Sequence, residues 1–138
     1  MKILPGVPEL LRALKEKGVT LGLITGNVES VAKRKLEDAG LWQYFSAGGG
    51  FGSDPHDTRA DLIEVAIAKA GFTGARASVY VVGDTPRNIF AAQEAGIKHT
   101  VGVANGFRKI QELIEAGAEV ALEDFKDTKG TLFKLNIT

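Results

Sequence analysis

The chain has 138 residues, 44% hydrophobic and 25% charged, with 17 Gly, 4 Pro and no Cys; that suits one hydrophobic core and is unlike a disordered tail or a collagen-like repeat. The 17 Lys and Arg balance 17 Asp and Glu, so no global field exists to hold nucleic acid or an anionic membrane. The lack of Cys excludes a disulfide framework, a thiol nucleophile and a thiolate metal site, and no apolar run approaches the roughly 20 residues of a bilayer span; a cytoplasmic protein without nucleic-acid or membrane partners is expected.

In chain order, Val7, Leu10, Leu11 and Leu14 at helical spacing predict an amphipathic helix over 7–17, stopped by Gly18. Val19 to Ile24 is a short apolar run that reads as a buried strand ending at Thr25-Gly26-Asn27. Val28, Val31, Ala32, Leu36 and Ala39 then mark a helix over 28–39, with Asn27 suited to cap it. Trp42, Tyr44, Phe45 and Phe51 read as core or hinge packing, and the glycine-rich run 48–55 reads as a flexible surface loop. Thr58 and Asp61 have capping-box spacing before a helix over 59–70. A β-branched strand over 78–82 ends at Gly83-Asp84-Thr85-Pro86, where Thr85 caps a helix and Pro86 takes its first position. A strand over 97–103, a helix over 107–116, a strand over 118–122 and a helix over 127–135 follow. This alternation predicts an α/β domain over 1–138 with a mostly parallel sheet and helices on both faces.

Open α/β sheets bind ligands beyond the carboxyl ends of their strands, and two predicted strands end in unusual polar groups. The Thr25 hydroxyl and the free amides of Gly26, Asn27 and the new helix suit a phosphate; a turn with a helix cap is the plain alternative. Asp84 suits Mg²⁺, a hard cation that takes carboxylate oxygen, or simply precedes a helix. Asn88, one helical turn on, brings no formal charge; its amide can orient a water or another side chain, or be an exposed polar group. Arg59 in the first turn of a helix opposes the helix dipole unless a bound phosphate or a carboxylate compensates it. Arg34, Arg76, Arg87 and Arg108 read as surface charges. His56 and His99 lack metal-site spacing, and neither a Walker loop, a dinucleotide fingerprint nor a GxSxG elbow occurs.

Leu4-Pro5-Gly6-Val7 with Leu10-Leu11, then Leu23-Ile24-Thr25-Gly26-Asn27, Val81-Val82-Gly83-Asp84-Thr85-Pro86-Arg87-Asn88, and Ala91-Ala92-Gln93-Glu94-Ala95-Gly96-Ile97 together resemble the haloacid dehalogenase (HAD) superfamily, in its phosphoglycolate-phosphatase-like or β-phosphoglucomutase-like branch. The resemblance covers nearly the whole chain. It implies a HAD-like Rossmannoid core and the chemistry of a Mg²⁺-dependent phosphatase acting on a small phosphorylated metabolite. By this resemblance Thr25, Gly26 and Asn27 bind the phosphoryl group, Arg59 steadies phosphate and nucleophile, Asp84 holds Mg²⁺, and Asn88, where the family commonly has a second Asp, acts on the metal indirectly.

The family's DxDGT-like first motif, which supplies the aspartyl nucleophile and the acid/base, does not occur; Asp127-Thr128-Lys129-Gly130-Thr131 is a partial echo corresponding to the last helix. The expectation is therefore a partial core without cap domain or usual first strand, doubtful as a catalyst alone. That strand would lie between those ending at Thr25 and Asp84, so the gap would be filled by an N-terminal segment, an exchanged segment or an oligomeric partner. A non-catalytic phosphate-binding or protein-interaction domain is the alternative.

Overall fold

The computed structural model describes residues 4–104 and 109–137. Of these, residues 11–73 form one unit, and residues 4–10 with 74–104 and 109–137 form the other. Helix α1 (Val7–Glu16) carries Leu10, Leu11 and Leu14 as its buried stripe, each contributing about 1.5–3 kcal/mol by leaving water.

In the 11–73 unit, β1 (Leu23–Ile24) pairs in parallel with β2 (Gly49–Gly50), in the register Leu23 to Gly49 and Ile24 to Gly50. The crossover between them is α2 (Glu29–Asp38), and α3 (Arg59–Lys69) follows β2. The predicted strand over 19–24 thus shortens to two residues, although flanking backbone bonds from Ala47 N–H to the Leu21 carbonyl and from Thr25 N–H to the Gly50 carbonyl extend the pairing.

The glycine-rich run corrects the sequence reading. Only its second half is a loop: Gly49 and Gly50 are a buried strand and Phe51 is 0% exposed, whereas 52–55 is a turn that exposes Ser53 and Pro55. Glycine is required there by close approach. A Cβ at Gly50 would meet the Leu62 backbone of α3, and one at Gly49 would meet the Leu23 backbone of β1. The expected aromatic packing does form, with the Trp42 and Phe51 rings 6.4 Å apart.

In the other unit, β3 (Tyr80–Gly83), β4 (His99–Val103) and β5 (Val120–Leu122) form a parallel sheet in that order. Tyr80 registers with His99 and Val101 with Val120. Helices α4 (Pro86–Glu94) and α5 (Ile110–Glu115) make the two crossovers, and α6 (Thr128–Lys134) follows β5. Ile89, Leu113 and Ala116 form a buried cluster against this sheet, with Ala118 packed on it. The Tyr80 hydroxyl donates to the Leu135 carbonyl at 3.0 Å and ties β3 to the end of α6. The expected start of the α5 helix at Phe107 and the surface charge Arg108 lie outside the described residues.

Among the described residues β1 has a single ladder, to β2, and β3 a single ladder, to β4. Val82, within β3, is 50% exposed. No helix among the described residues is long and apolar enough to cross a membrane.

Candidate functional site

Both polar strand ends lie where the sequence placed them, and each is built differently. At the end of β1, half-buried Thr25 precedes exposed Gly26 and Asn27. The Asn27 N–H donates to Thr25 Oγ1 at 3.1 Å, so the hydroxyl oxygen is an acceptor within the turn and its O–H remains a donor. Asn27 is not the cap of α2. That position belongs to Val28, which has no side-chain acceptor, and Ser53 Oγ accepts the Glu29 N–H instead, at 3.1 Å.

Arg59 is brought to the same turn. It is the first residue of α3, and its Nη2 lies 3.7 Å from where a Cβ on Gly26 would stand. No carboxylate among the described residues pairs with it. A guanidinium at a helix N-terminus sits against the positive end of the dipole, so an anion beside Gly26 would relieve two positive potentials at once. Thr25, Gly26, Asn27 and Arg59 therefore form one constellation inside one unit.

The N-terminus of α3 is itself well held. Thr58 and Asp61 form the expected capping box, and Asp61 Oδ2 accepts the Asp57 and Thr58 N–H groups at 2.8 and 3.1 Å. Those two amides, Asp57 first, hold the Asp61 carboxyl below the ordinary carboxylate range. Asp54 is lowered too, by Lys69 foremost and then by the Phe51 N–H. Tyr44 is lowered by hydrogen bonds from Arg12 and Gln43.

At the end of β3, Asp84 is half-buried and precedes α4. Thr85 caps that helix as expected: its Oγ1 accepts the Asn88 N–H at 3.4 Å and donates to Asn88 Oδ1 at 2.8 Å. The Asn88 side chain lies over Gly83, where a Cβ would collide with it. Its amide oxygen is thus engaged by Thr85, which leaves its NH₂ as the group able to act outward.

Among the described residues no cluster of three or more His, Cys, Asp or Glu could enclose a metal. Mg²⁺ commonly takes one or two carboxylates and completes its octahedron with waters and phosphate oxygens. Asp84 has the chemistry of one such carboxylate. Asp127, the echo of the missing motif, accepts the Gly130 N–H at 3.0 Å and is the N-cap of α6.

Sequence reasoning missed Gly52, Ser53, Asp54 and Lys69, all of which bear on the Thr25–Asn27 turn. The Gly52 N–H donates to the Asn27 carbonyl at 2.8 Å. Lys69 Nζ and the Phe51 N–H both donate to Asp54 Oδ2, at 2.8 and 2.9 Å. The run Gly52-Ser53-Asp54 was visible as turn-forming composition, but nothing in the sequence pairs Asp54 with a lysine 15 positions on.

A family model described as haloacid dehalogenase-like hydrolase matches residues 1–102. The chain is 34% identical over 133 residues to a phosphoglycolate phosphatase of Agrobacterium fabrum, covering 94% of this chain and 54% of that protein. It is 32% identical over 134 residues to a Dickeya dadantii protein named "Probable phosphatase IndB", covering 96% and 57%. The chain thus spans about half the length of the curated relatives it matches. A haloacid dehalogenase-like family hydrolase from Streptococcus pneumoniae superposes with a TM-score of 0.81 at 19% identity, over 95% of this chain and 60% of that one. The fold is accordingly the α/β Rossmannoid HAD-like core, with a mostly parallel sheet and helices on both faces. Its motifs, its fold and the family match over residues 1–102 lead to one conclusion: the chain belongs to the haloacid dehalogenase-like hydrolase family.

Proposed function

We propose that this chain supplies the phosphate-binding turn and a metal-ligating carboxylate of a Mg²⁺-dependent phosphomonoester phosphatase acting on a small phosphorylated metabolite. The observation that carries the reading is the Arg59 guanidinium set beside the Thr25-Gly26-Asn27 turn with no carboxylate partner among the described residues. Phosphate dianion suits that arrangement: Thr25 O–H and the Arg59 N–H groups donate to its oxygens, and the adjoining helix terminus adds oriented amides. The relatives named as phosphatases support this reaction class.

Asp84 would hold Mg²⁺, and the bound cation would neutralise charge on the phosphoryl oxygens. Asn88 orients its surroundings through its NH₂ group. No bond-making step belongs to these residues, because transfer through an aspartyl phosphate needs a carboxylate nucleophile and a placed acid/base, and no DxDGT-like sequence is present. A segment bearing that motif, within a longer chain or on a second polypeptide, completes the enzyme. Among the described residues β1 and β3 each have one ladder, and the other edge of either gives such a strand a backbone to pair with.

Hydrolysis of p-nitrophenyl phosphate with Mg²⁺ tests the reading in three preparations: this chain, the chain with a DxDGT-bearing segment supplied, and Asp84→Asn in the supplied form. Turnover is expected only in the second. Full turnover by the short chain would refute the missing-nucleophile argument, and phosphate binding with no turnover in any preparation would favour a non-catalytic phosphate-binding domain.

A further inference from the structure

The Thr25–Asn27 turn is buttressed from a direction that phosphate binding itself does not use. Asp54 closes a four-residue loop at both ends: its Oδ2 accepts the Phe51 N–H at 2.9 Å, and its own N–H donates to the Phe51 carbonyl at 2.8 Å. Lys69, in the last turn of α3, holds that carboxylate at 2.8 Å and sets its Nζ 5.1 Å from the centre of the buried Phe51 ring. The Asp54 and Lys69 side chains are 21% and 36% exposed. Solvent screens such a pair, so it does little for global stability.

Its geometric effect is larger. Within the loop that Asp54 closes, the Gly52 N–H holds the Asn27 carbonyl at 2.8 Å, and Ser53 Oγ holds the Glu29 N–H at 3.1 Å. Peptide units are planar and trans, so fixing the Asn27 carbonyl also fixes the opposite direction of the Val28 N–H. Gly52 approaches the Gly26 carbonyl so closely that a Cβ on it would collide there. Displacement of the loop therefore passes to Gly26 and Asn27 by hard contact as well as by hydrogen bonds.

We propose that Asp54 and Lys69 form a latch that sets the Thr25–Gly26–Asn27 turn through Gly52 and Ser53, which makes them positioning residues for oxyanion binding at that turn. The oxyanion rests on the phosphatase reading; the latch rests on the contacts alone. The test uses the full chain, ¹H–¹⁵N spectra, amide exchange, and titration with inorganic phosphate, in wild type, Lys69→Met, Lys69→Arg and Asp54→Asn.

Lys69→Met and Asp54→Asn should speed exchange of the Gly52 N–H by about tenfold, move the Asn27 and Val28 amide signals, and weaken inorganic phosphate about three- to tenfold, while Tm stays close to wild type. Lys69→Arg, which keeps an N–H donor for Asp54, should restore all three readouts to within about twofold. Unchanged Gly52 exchange in Lys69→Met overturns the latch, as does failure of Lys69→Arg to rescue it. A fall in Tm or outright unfolding that accounts for the losses overturns it too, by assigning the pair to stability. If wild type shows no phosphate response at Gly26 and Asn27, the phosphatase reading falls, and Gly52 exchange still decides the latch.

Discussion

Gly50→Ala isolates what the glycine-rich strand does. The added methyl would stand 2.8 Å from the Leu62 carbonyl carbon and 3.0 Å from its Cα, with the carbonyl oxygen nearer still. Those atoms belong to the backbone of α3, which cannot rotate aside as a side chain does. Relief requires α3 and β2 to separate by about 1 Å, since close-packed interiors hold no spare volume. That movement also strains the bond from Thr25 N–H to the Gly50 carbonyl, 3.1 Å in the native fold. Overpacking of this kind costs about 1–3 kcal/mol, and rigid backbone on both sides places it at the upper end.

Gly22→Ala is the matched control. It adds the same methyl at an exposed glycine whose Cβ would meet nothing closer than 3.8 Å and whose φ is not in the left-handed region. It should be neutral or stabilising by about 0.4–1 kcal/mol, through loss of unfolded-state entropy. Thermal melts followed by far-UV circular dichroism should therefore place Gly50→Ala about 10 °C below wild type, with Gly22→Ala at or above it. Equal melting of the two variants would refute the argument that direct backbone contact between α3 and β2 requires glycine.

Ile89→Ala should cost about 2–5 kcal/mol in urea unfolding because Ile89 is wholly buried against Leu113 and Ala116; Phe133→Ala, at a site 82% exposed, should change stability by less than about 0.5 kcal/mol. Thr85→Ala removes both the cap of α4 and the anchor of Asn88, and should cost about 1 kcal/mol by the same assay. Asp61 has a carboxyl lowered in the folded state, so its stabilisation is fully present above the unfolded carboxylate pKa, about 4, and is lost as the pH falls through the lower folded value. Tm measured against pH should accordingly drop below about pH 4, with a shallower drop in Asp61→Asn; an unchanged acid limb in that variant would count against the two amide bonds.

Much of this is legible in the sequence. Thr58 with Asp61 and Thr85 with Pro86 announced helix starts, because capping chemistry acts over three or four residues and is written locally. The turns at Thr25 and Asp84 were legible for a similar reason, each being a polar break after an apolar strand. What escaped depended on distant partners. Gly49 and Gly50 have no β-branched side chains and no alternation, and their strand character comes from β1 and α3 pressing on them. Capping of α2 escaped likewise, since a serine 24 residues from Glu29 performs it. Arg59 stands out in the sequence by its unfavourable place in a helix, whereas Lys69 does not, because a lysine in the last turn of a helix is ordinary.

The register of the three-stranded sheet has a consequence for how that unit comes together in time. Tyr80 meets His99 and Val101 meets Val120, so the two ladders close over stretches of chain of equal length, each containing one helix among the described residues. The entropy lost on closing a loop depends on its length, so neither ladder has a head start over the other. β4 belongs to both, and its residues Val101, Gly102 and Val103 are buried. The folding nucleus should therefore be shared across β4 rather than polarised toward either neighbour, so substitutions at Val101 should slow refolding most, and those on β3 and β5 should slow it less and to a similar extent.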